Sequence, residues 1–181
     1  MGCLGLGYGT HMRCLKTQRK ESRKFGGGGV SIWGCIWYQC PGMMCKISGN
    51  MTGNLYATIL REELVDTIDF CNLVQSEVIF QQDNDSKHTS IVAMKFWSTS
   101  DITLMKWPSQ SPDLYPIEHI WARVKTNISK KGRPIQGMVE LWDLVKSEWK
   151  KLSVSDCRTL IDSMPRRIEA VIKARGLWTK Y

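Results

Sequence analysis

Apolar residues form short runs and longer stripes along the chain, and these two patterns predict a sheet flanked by helices. Residues 30–38 and 43–47 are rich in β-branched and aromatic side chains and flank a Pro-Gly turn, which predicts a β-hairpin. The short apolar runs 78–81 and 102–105 predict strands that are covered on both faces. Apolar stripes at a spacing of three to four residues predict helices in five segments: 56–68, 91–97, 117–128, 138–152 and 160–172. The order of these elements indicates an α/β fold with a mixed sheet.

Length and charge narrow the class of protein further. The 181 residues suffice for one domain with a sizeable core, and no run of about 18 apolar residues predicts a membrane span. The net charge of +8 lies entirely after residue 118: residues 1–118 hold 11 basic and 11 acidic side chains, whereas residues 119–181 hold 14 and 6. Such a basic flank favours a polyanion such as DNA as partner, although a basic surface without a partner is equally compatible.

Seven cysteines occur in the chain, and none of them belongs to a Cys-x-x-Cys pair. The regular spacing of Cys35, Cys40 and Cys45 is a weak indication of a metal site. We expect instead that the cysteines are buried thiols in a reducing compartment.

Two carboxylates stand at positions where ligands are commonly bound. Asp83 follows the apolar run 78–81, and Glu118 lies in the first turn of the helix that Pro116 begins, with 34 residues between the two acids. Carboxylates are hard ligands for Mg²⁺ or Mn²⁺, and converging acids can hold two ions about 3.5–4 Å apart for in-line phosphoryl displacement. The structural alternative is that Asp83 is a turn residue and Glu118 interacts with the positive end of the helix dipole.

Several segments, in the same order, resemble mariner-type transposases of the DDE superfamily. Residues 80–90 (FQQDNDSKHTS) resemble the motif of their second catalytic acid, and residues 107–121 (WPSQSPDLYPIEHIW) resemble the motif of the third. The interval of 34 residues is typical of one large branch of that superfamily, and residues 25–35 and 163–181 also resemble this branch.

The resemblance implies a ribonuclease H-like fold, in which a mixed sheet is flanked by helices and followed by carboxyl-terminal helices. It implies that Asp83 and Glu118 are the second and third catalytic acids and ligands of Mg²⁺ or Mn²⁺. The implied function is metal-dependent phosphodiester cleavage and strand transfer in DNA integration, which places the protein in the nucleus. Its partners would be transposon ends and target DNA, with no membrane partner, and a homo-oligomer is compatible with a full-length form.

The first acid of the family's triad has no counterpart at the expected place. Residues 1–61 contain no Asp, and Glu21, their only acid, lies within the basic run 16–24. We therefore expect the family's first strand to be missing or replaced, with residues 10–20 filling its place in part. Because the triad is incomplete, we expect the chain to be inactive by itself. The alternatives are a non-catalytic nucleic-acid-binding relic and a nonfunctional product of a decayed element.

We divide the chain into three parts. Residues 1–24 form a poorly defined basic segment, residues 25–133 form a partial ribonuclease H-like DDE transposase domain, and residues 134–181 form its basic helical carboxyl-terminal extension. The length leaves no room for the helix-turn-helix modules that such transposases carry at the amino terminus, so we interpret the chain as truncated there. Tyr115 stands where the family usually has Asn, and at an N-cap this exchange would cost roughly 0.5–2 kcal/mol.

Overall fold

The computed structural model describes residues 6–9, 13–16, 29–106, 114–177 and 179, and for 6–9 and 13–16 it describes the backbone alone. The strands are β1 (Leu6–Gly9), β2 (Arg13–Lys16), β3 (Gly29–Ile36), β4 (Pro41–Ile47), β5 (Ile79–Gln81) and β6 (Thr103–Leu104). The helices are α1 (Gly53–Ile59), α2 (Val65–Phe70), α3 (Ile91–Thr99), α4 (Ile117–Ser129), α5 (Gly137–Trp149), α6 (Val154–Ile161) and α7 (Met164–Lys173). None of the helices in this part of the chain has both the length and the apolar composition that a bilayer crossing requires.

All six strands belong to one mixed sheet in the order β2-β3-β1-β5-β6, with β4 paired to β3 as well. Strand β3 is antiparallel to β1, β2 and β4, whereas β5 is parallel to β1 and β6. Because β4 occupies one edge of β3, β1 and β2 follow one another along its other edge. The predicted hairpin, the two predicted short strands and the mixed sheet are thereby confirmed. The predicted Pro-Gly turn is wrong, because the hairpin turns at residues 37–40 and Pro41 and Gly42 begin β4.

A strand does lie beside β5, and it comes from residues earlier in the chain than we expected. Strand β1 pairs with β5 in parallel register, with Leu6 opposite Ile79 and Tyr8 opposite Gln81. The segment expected to fill this place in part, residues 10–20, contributes β2, which pairs with β3 and not with β5. Residues 6–9 therefore replace the strand whose absence the sequence suggested.

The alternation of side chains along β3 separates two apolar cores, one on each face of the sheet. Val30, Ile32 and Ile36 face a core that α4, α5 and α6 cover. Trp33 and Cys35 face the second core, which α1, α2 and α3 cover. Successive strand residues point to opposite faces, so a strand that is buried on both sides is apolar at nearly every position.

A continuous apolar stripe predicted one helix over residues 56–68, and the structure divides this segment. A π-helical stretch, Leu60–Leu64, lies between α1 and α2. The side chain of Thr52 caps α1 by accepting a hydrogen bond from the Leu55 backbone N–H at 3.2 Å. Since the stripe reports only which face is buried, it does not reveal a local change of helical pitch.

Pro165 restarts the last helix within residues 160–172, which the apolar stripe predicted as one helix. Helix α6 ends at Ile161, and α7 begins at Met164 with Pro165 in its first turn. Ser153 and Asp156 form a capping box at the start of α6. Proline suits a first helical turn because its missing N–H would have no partner within the helix there.

The assignment of Tyr115 as an N-cap is wrong. Pro116 caps α4, and Tyr115 precedes it with a side chain that is only 1% exposed. The carbonyl of Tyr115 accepts a hydrogen bond from the Glu118 backbone N–H at 3.1 Å. The large ring therefore contributes buried contacts that a short capping side chain could not provide.

The expectation of reduced thiols is wrong for two of the cysteines. Cys40 and Cys71 form a disulfide between the β3–β4 turn and the end of α2. Among the described residues, Cys35 and Cys157 are buried free thiols and Cys45 is a half-buried one. Burial raises the pKa of Cys35 to about 12, so this thiol stays protonated near neutral pH.

Candidate metal and catalytic site

Asp83 lies two residues after the end of β5, with a side chain that is 19% exposed. Its Oδ1 accepts a hydrogen bond from the Asp85 backbone N–H at 3.1 Å and makes a short contact with Nδ1 of His88. Two groups therefore converge on one oxygen of this carboxylate.

A buried polar network supports the contact between Asp83 and His88. The His88 side chain is 1% exposed, and its ring centroid lies 4.1 Å from that of Tyr56. The Tyr56 hydroxyl donates to Oε1 of Gln82 at 2.5 Å, and Nε2 of Gln82 donates to the His88 carbonyl at 3.3 Å. Tyr56 of α1 thus packs on the imidazole, and Gln82 after β5 binds the backbone of His88. The sequence contained His88 within a polar run but did not assign it a role, because this network joins residues that are distant in sequence.

Glu118 is half-buried in the first turn of α4. The positive end of the helix dipole favours the ionised carboxylate at this position. Nε2 of Gln81 donates a hydrogen bond to the Leu114 carbonyl at 3.3 Å, which joins the end of β5 to the segment entering α4. Gln81 itself is fully buried, so this link belongs to the core. The elements that carry the two candidate acids are therefore connected directly.

The negative charge of Asp83 acts on Tyr115, which lies just before α4. Burial raises the pKa of the Tyr115 hydroxyl, and the negative charge of Asp83 raises it further. Tyr115 precedes Glu118 by three residues. This electrostatic effect and the link between Gln81 and Leu114 agree in placing both acids at one end of the sheet, where ligands bind in open α/β folds.

Arg167 brings a cation towards the first turn of α4. Burial lowers the pKa of His119, and the positive charge of Arg167 lowers it further, which shows that α7 brings a cation towards the first turn of α4. Arg167 is 2% exposed and donates from Nε to the Ser163 hydroxyl at 2.7 Å. Nothing in the sequence distinguishes Arg167, because an arginine in a basic helix gives no signal of its burial.

Asp85 adds a third carboxylate close to Asp83 along the chain. Burial tends to raise its pKa, but hydrogen bonds from the backbone and side chain of Lys87 outweigh burial and lower it. Nζ of Lys87 lies 3.0 Å from Oδ1 of Asp85. This carboxylate is thus ionised and already compensated by a neighbouring cation.

The two candidate carboxylates are fewer than the converging acids of a site for a pair of metal ions. Within the described residues, no group of three or more His, Cys, Asp or Glu side chains is arranged to hold a metal ion. Asp83 and Glu118 supply two carboxylates, and water would have to complete the coordination. The same finding removes the metal interpretation of Cys35, Cys40 and Cys45, since Cys40 is bonded to Cys71.

Several cations of the basic carboxyl-terminal region form ion pairs with acids of the same chain. Arg123 pairs with Asp156 at 2.5 Å, and Lys151 pairs with Glu148 at 2.5 Å. Arg133 pairs with Glu140 and Lys146 with Asp143. In the described structure, five exposed lysines at or beyond the second half of α4 make no ion pair: Lys125, Lys130, Lys131, Lys150 and Lys173.

Comparison with known proteins yields one family match and several related transposases. A family model described as a DDE superfamily endonuclease matches residues 9–141. The Tcb1 transposase of Caenorhabditis briggsae is 40% identical over 158 residues, which are 87% of this chain and 56% of the relative. The Tc1 transposase of Caenorhabditis elegans is 36% identical over 162 residues, with the same two shares. The chain therefore spans about half the length of the curated relatives it matches.

Solved structures of Mos1 transposase have the same fold. A structure of the Mos1 catalytic domain with raltegravir and Mn is 14% identical and has a TM-score of 0.81, covering 97% of this chain and 84% of that one. The Mos1 mariner paired end complex with Mn is 16% identical and has a TM-score of 0.78, covering 97% and 56%. At this identity the likeness shows the fold, and it confirms the predicted ribonuclease H-like arrangement.

Proposed function

The chain belongs to the DDE superfamily endonuclease family, and on this premise we propose that it is the catalytic-domain part of a Tc1/mariner-type transposase that does not cleave DNA by itself. The resemblance found in residues 80–90 and 107–121 is confirmed by this match and by the related transposases. The observation that carries the proposed inactivity is the incomplete set of acids. Asp83 and Glu118 lie on directly connected elements, whereas residues 1–61 contain no Asp.

Asp83 and Glu118 are the residues that would hold a divalent cation. Mos1 transposase structures include one with Mn and one with Mg, which supports Mg²⁺ or Mn²⁺ as the ion. Such an ion supplies charge stabilisation for the attacking and leaving oxygens of a phosphodiester. The two carboxylates bind and orient; a third acid would be needed to complete the coordination of a second ion. Losing that stabilisation costs several kcal/mol, and each ~1.4 kcal/mol lowers the rate tenfold.

DNA is the proposed partner. Structural neighbours include Mos1 paired-end complexes, one of them with the left transposon end, and a strand transfer complex. In this chain, the exposed lysines 125, 130 and 131 supply positive charge and make no ion pair within the described residues. Nuclear localisation and assembly into a homo-oligomer are further parts of the proposal and rest on the family resemblance.

A nicking assay tests the proposed inactivity. The purified chain is incubated with Mg²⁺ or Mn²⁺ and a duplex that carries transposon terminal repeats, beside an Asp83→Asn variant. We expect no cleavage above the level of the variant. Robust cleavage by the natural chain that Asp83→Asn abolishes would show that two described acids suffice, and it would contradict the proposal.

A non-catalytic DNA-binding role is the second candidate, and the charge distribution favours it. Binding without chemistry would appear as salt-dependent affinity for duplex DNA in a chain that fails the nicking assay. This candidate is excluded if the folded chain shows no affinity for DNA at low salt.

A further inference from the structure

We propose that His88 is a positioning residue for Asp83: it holds one oxygen of the carboxylate so that the carboxylate presents a fixed face to the divalent cation. This inference rests on the proposed function, because it assumes that Asp83 binds the ion. It adds to that function a residue whose side chain acts through Asp83.

The direction of the hydrogen bond determines the tautomer of His88. An ionised carboxylate oxygen can only accept, so Nδ1 must carry the proton that joins it to Oδ1 of Asp83. The Asp85 backbone N–H donates to the same oxygen. Two donors on one oxygen oppose rotation of the carboxylate about its Cβ–Cγ bond. Hydrogen bonds to ligating carboxylates are a general means of orienting them towards a metal.

The surroundings of His88 prevent the imidazole from turning away. Its ring packs against Tyr56 on α1, and its carbonyl accepts from Gln82, which follows β5 directly. Tyr56 and Gln82 are themselves hydrogen-bonded, and all three residues are buried. The donor therefore belongs to a rigid unit formed by a helix and a strand end, which is the support that a precise site requires.

The other ring nitrogen distinguishes this role from a purely structural one. Nε2 of His88 is buried and has no hydrogen-bond partner in the described part of the chain. A buried polar atom without a partner lowers stability, so an apolar side chain of similar volume would suit folding equally well or better. An apolar side chain such as leucine would lack the Nδ1–H group that donates a hydrogen bond to Asp83.

Two substitutions of His88 separate positioning from packing. His88→Leu keeps most of the volume and removes the donor. His88→Asn places an amide N–H close to the former position of Nδ1 but leaves a cavity beside Tyr56. Mn²⁺ affinity is measured from the free-ion signal in electron paramagnetic resonance, and the melting temperature is measured on the same samples. Asp83→Asn serves as the control that identifies the site.

The two variants should differ in opposite ways: His88→Leu should lose more Mn²⁺ affinity, and His88→Asn should lose more thermal stability. We expect His88→Leu to weaken Mn²⁺ binding about 10–100-fold, the range observed when partners of metal ligands are removed, with a melting temperature close to that of the natural chain. We expect His88→Asn to retain Mn²⁺ binding within about threefold, because it restores the donor, and to melt at a lower temperature because of the cavity.

Three results would overturn the inference. Natural affinity in His88→Leu would show that the donor is dispensable, and parallel losses of affinity and stability in both variants would show a packing role alone. In the metal-free natural chain, ¹⁵N-resolved NMR of the imidazole should show the Nδ1–H tautomer, and the Nε2–H tautomer would overturn the inference even if a variant failed to fold. Absence of Mn²⁺ binding in the natural chain would overturn the proposed cation site itself, an outcome that the tautomer measurement distinguishes from failure of the His88 contact.

Discussion

Glu148 shows at the residue scale how a charge is accommodated inside this protein. Its side chain lies on α5 and is only about 4% exposed, yet both carboxylate oxygens have partners. Nζ of Lys151 donates to Oε1 at 2.5 Å, and Nδ2 of Asn127 donates to Oε2 at 2.9 Å. The hydrogen bonds from Lys151 and Asn127 lower the pKa of Glu148, so the residue is ionised at neutral pH. Because Asn127 belongs to α4, this carboxylate links two helices.

Replacement of Glu148 by Gln should destabilise the protein. The exchange keeps the volume but removes the charge and directs an amide donor towards another donor. We expect the free energy of unfolding in urea to fall by about 1–3 kcal/mol. Asp143→Asn on the same helix is the matched control, because Asp143 is 61% exposed and pairs with Lys146 at the surface. We expect that control to change the free energy by less than about 0.5 kcal/mol, and equal losses in the two variants would contradict the prediction.

At the scale of elements, the disulfide joins parts that the sheet does not connect. Cys40 lies in the turn between β3 and β4, and Cys71 caps α2, which packs on one face of the sheet. The link closes a loop with a sequence separation of 31 residues. Thr67 of α2 reinforces it by accepting a hydrogen bond from the Met43 backbone N–H at 2.8 Å. The hairpin and α2 are therefore held together by a covalent and a polar contact.

Loss of this disulfide should lower stability by about 2–4 kcal/mol, because the unfolded chain regains the freedom that a closed loop of this length removes. The change is the double variant Cys40→Ser and Cys71→Ser, and the measurement is urea unfolding with and without dithiothreitol. We expect the reductant to destabilise the natural chain and to leave the double variant unaffected. Cys45→Ser should retain the response to the reductant, and a natural chain that does not respond would contradict the prediction.

At the scale of the whole molecule, the distribution of charge matters more than its total. The net charge of +8 arises after residue 118, but ion pairs with acids of the same chain compensate several of those cations. Lys130 and Lys131, which are exposed and make no ion pair, belong to the basic turn between α4 and α5. A polyanion would gain most from contacts with cations that have no other partner.

We therefore expect two pairs of substitutions with equal changes in charge to differ in their effect on DNA binding. The variant Lys130→Gln with Lys131→Gln should bind duplex DNA more weakly, with a slope of log affinity against log salt reduced by up to about 2. The control variant Arg133→Gln with Lys146→Gln removes cations that already pair with acids and should change the slope less. Fluorescence anisotropy over a range of salt concentrations provides the measurement. Equal slopes for the two variants would show that an ion pair within the chain does not reduce the contribution of a cation to DNA binding.

Much of the fold was predictable because burial leaves a periodic trace in the sequence. The nearly continuous apolar character of β3 and the stripes of α4 and α5 follow directly from which faces are covered. Two parts of the candidate site, Asp83 and Glu118, were predictable from short motifs and their interval. Their catalytic roles, the division of the chain into three parts and the nuclear localisation stay predictions.

The sequence by itself determined the order of strands and helices from β3 to α5 and the family, because these depend on local periodicity and on motifs that are contiguous in the chain. Only the tertiary structure decided that residues 6–9 lie beside β5, that Cys40 meets Cys71, and that Gln81 links β5 to the start of α4. It also decided that His88 holds Asp83 while packing on Tyr56. The physical reason is that periodicity records how deeply a side chain is buried, whereas its partners depend on which distant segments the folded chain brings together.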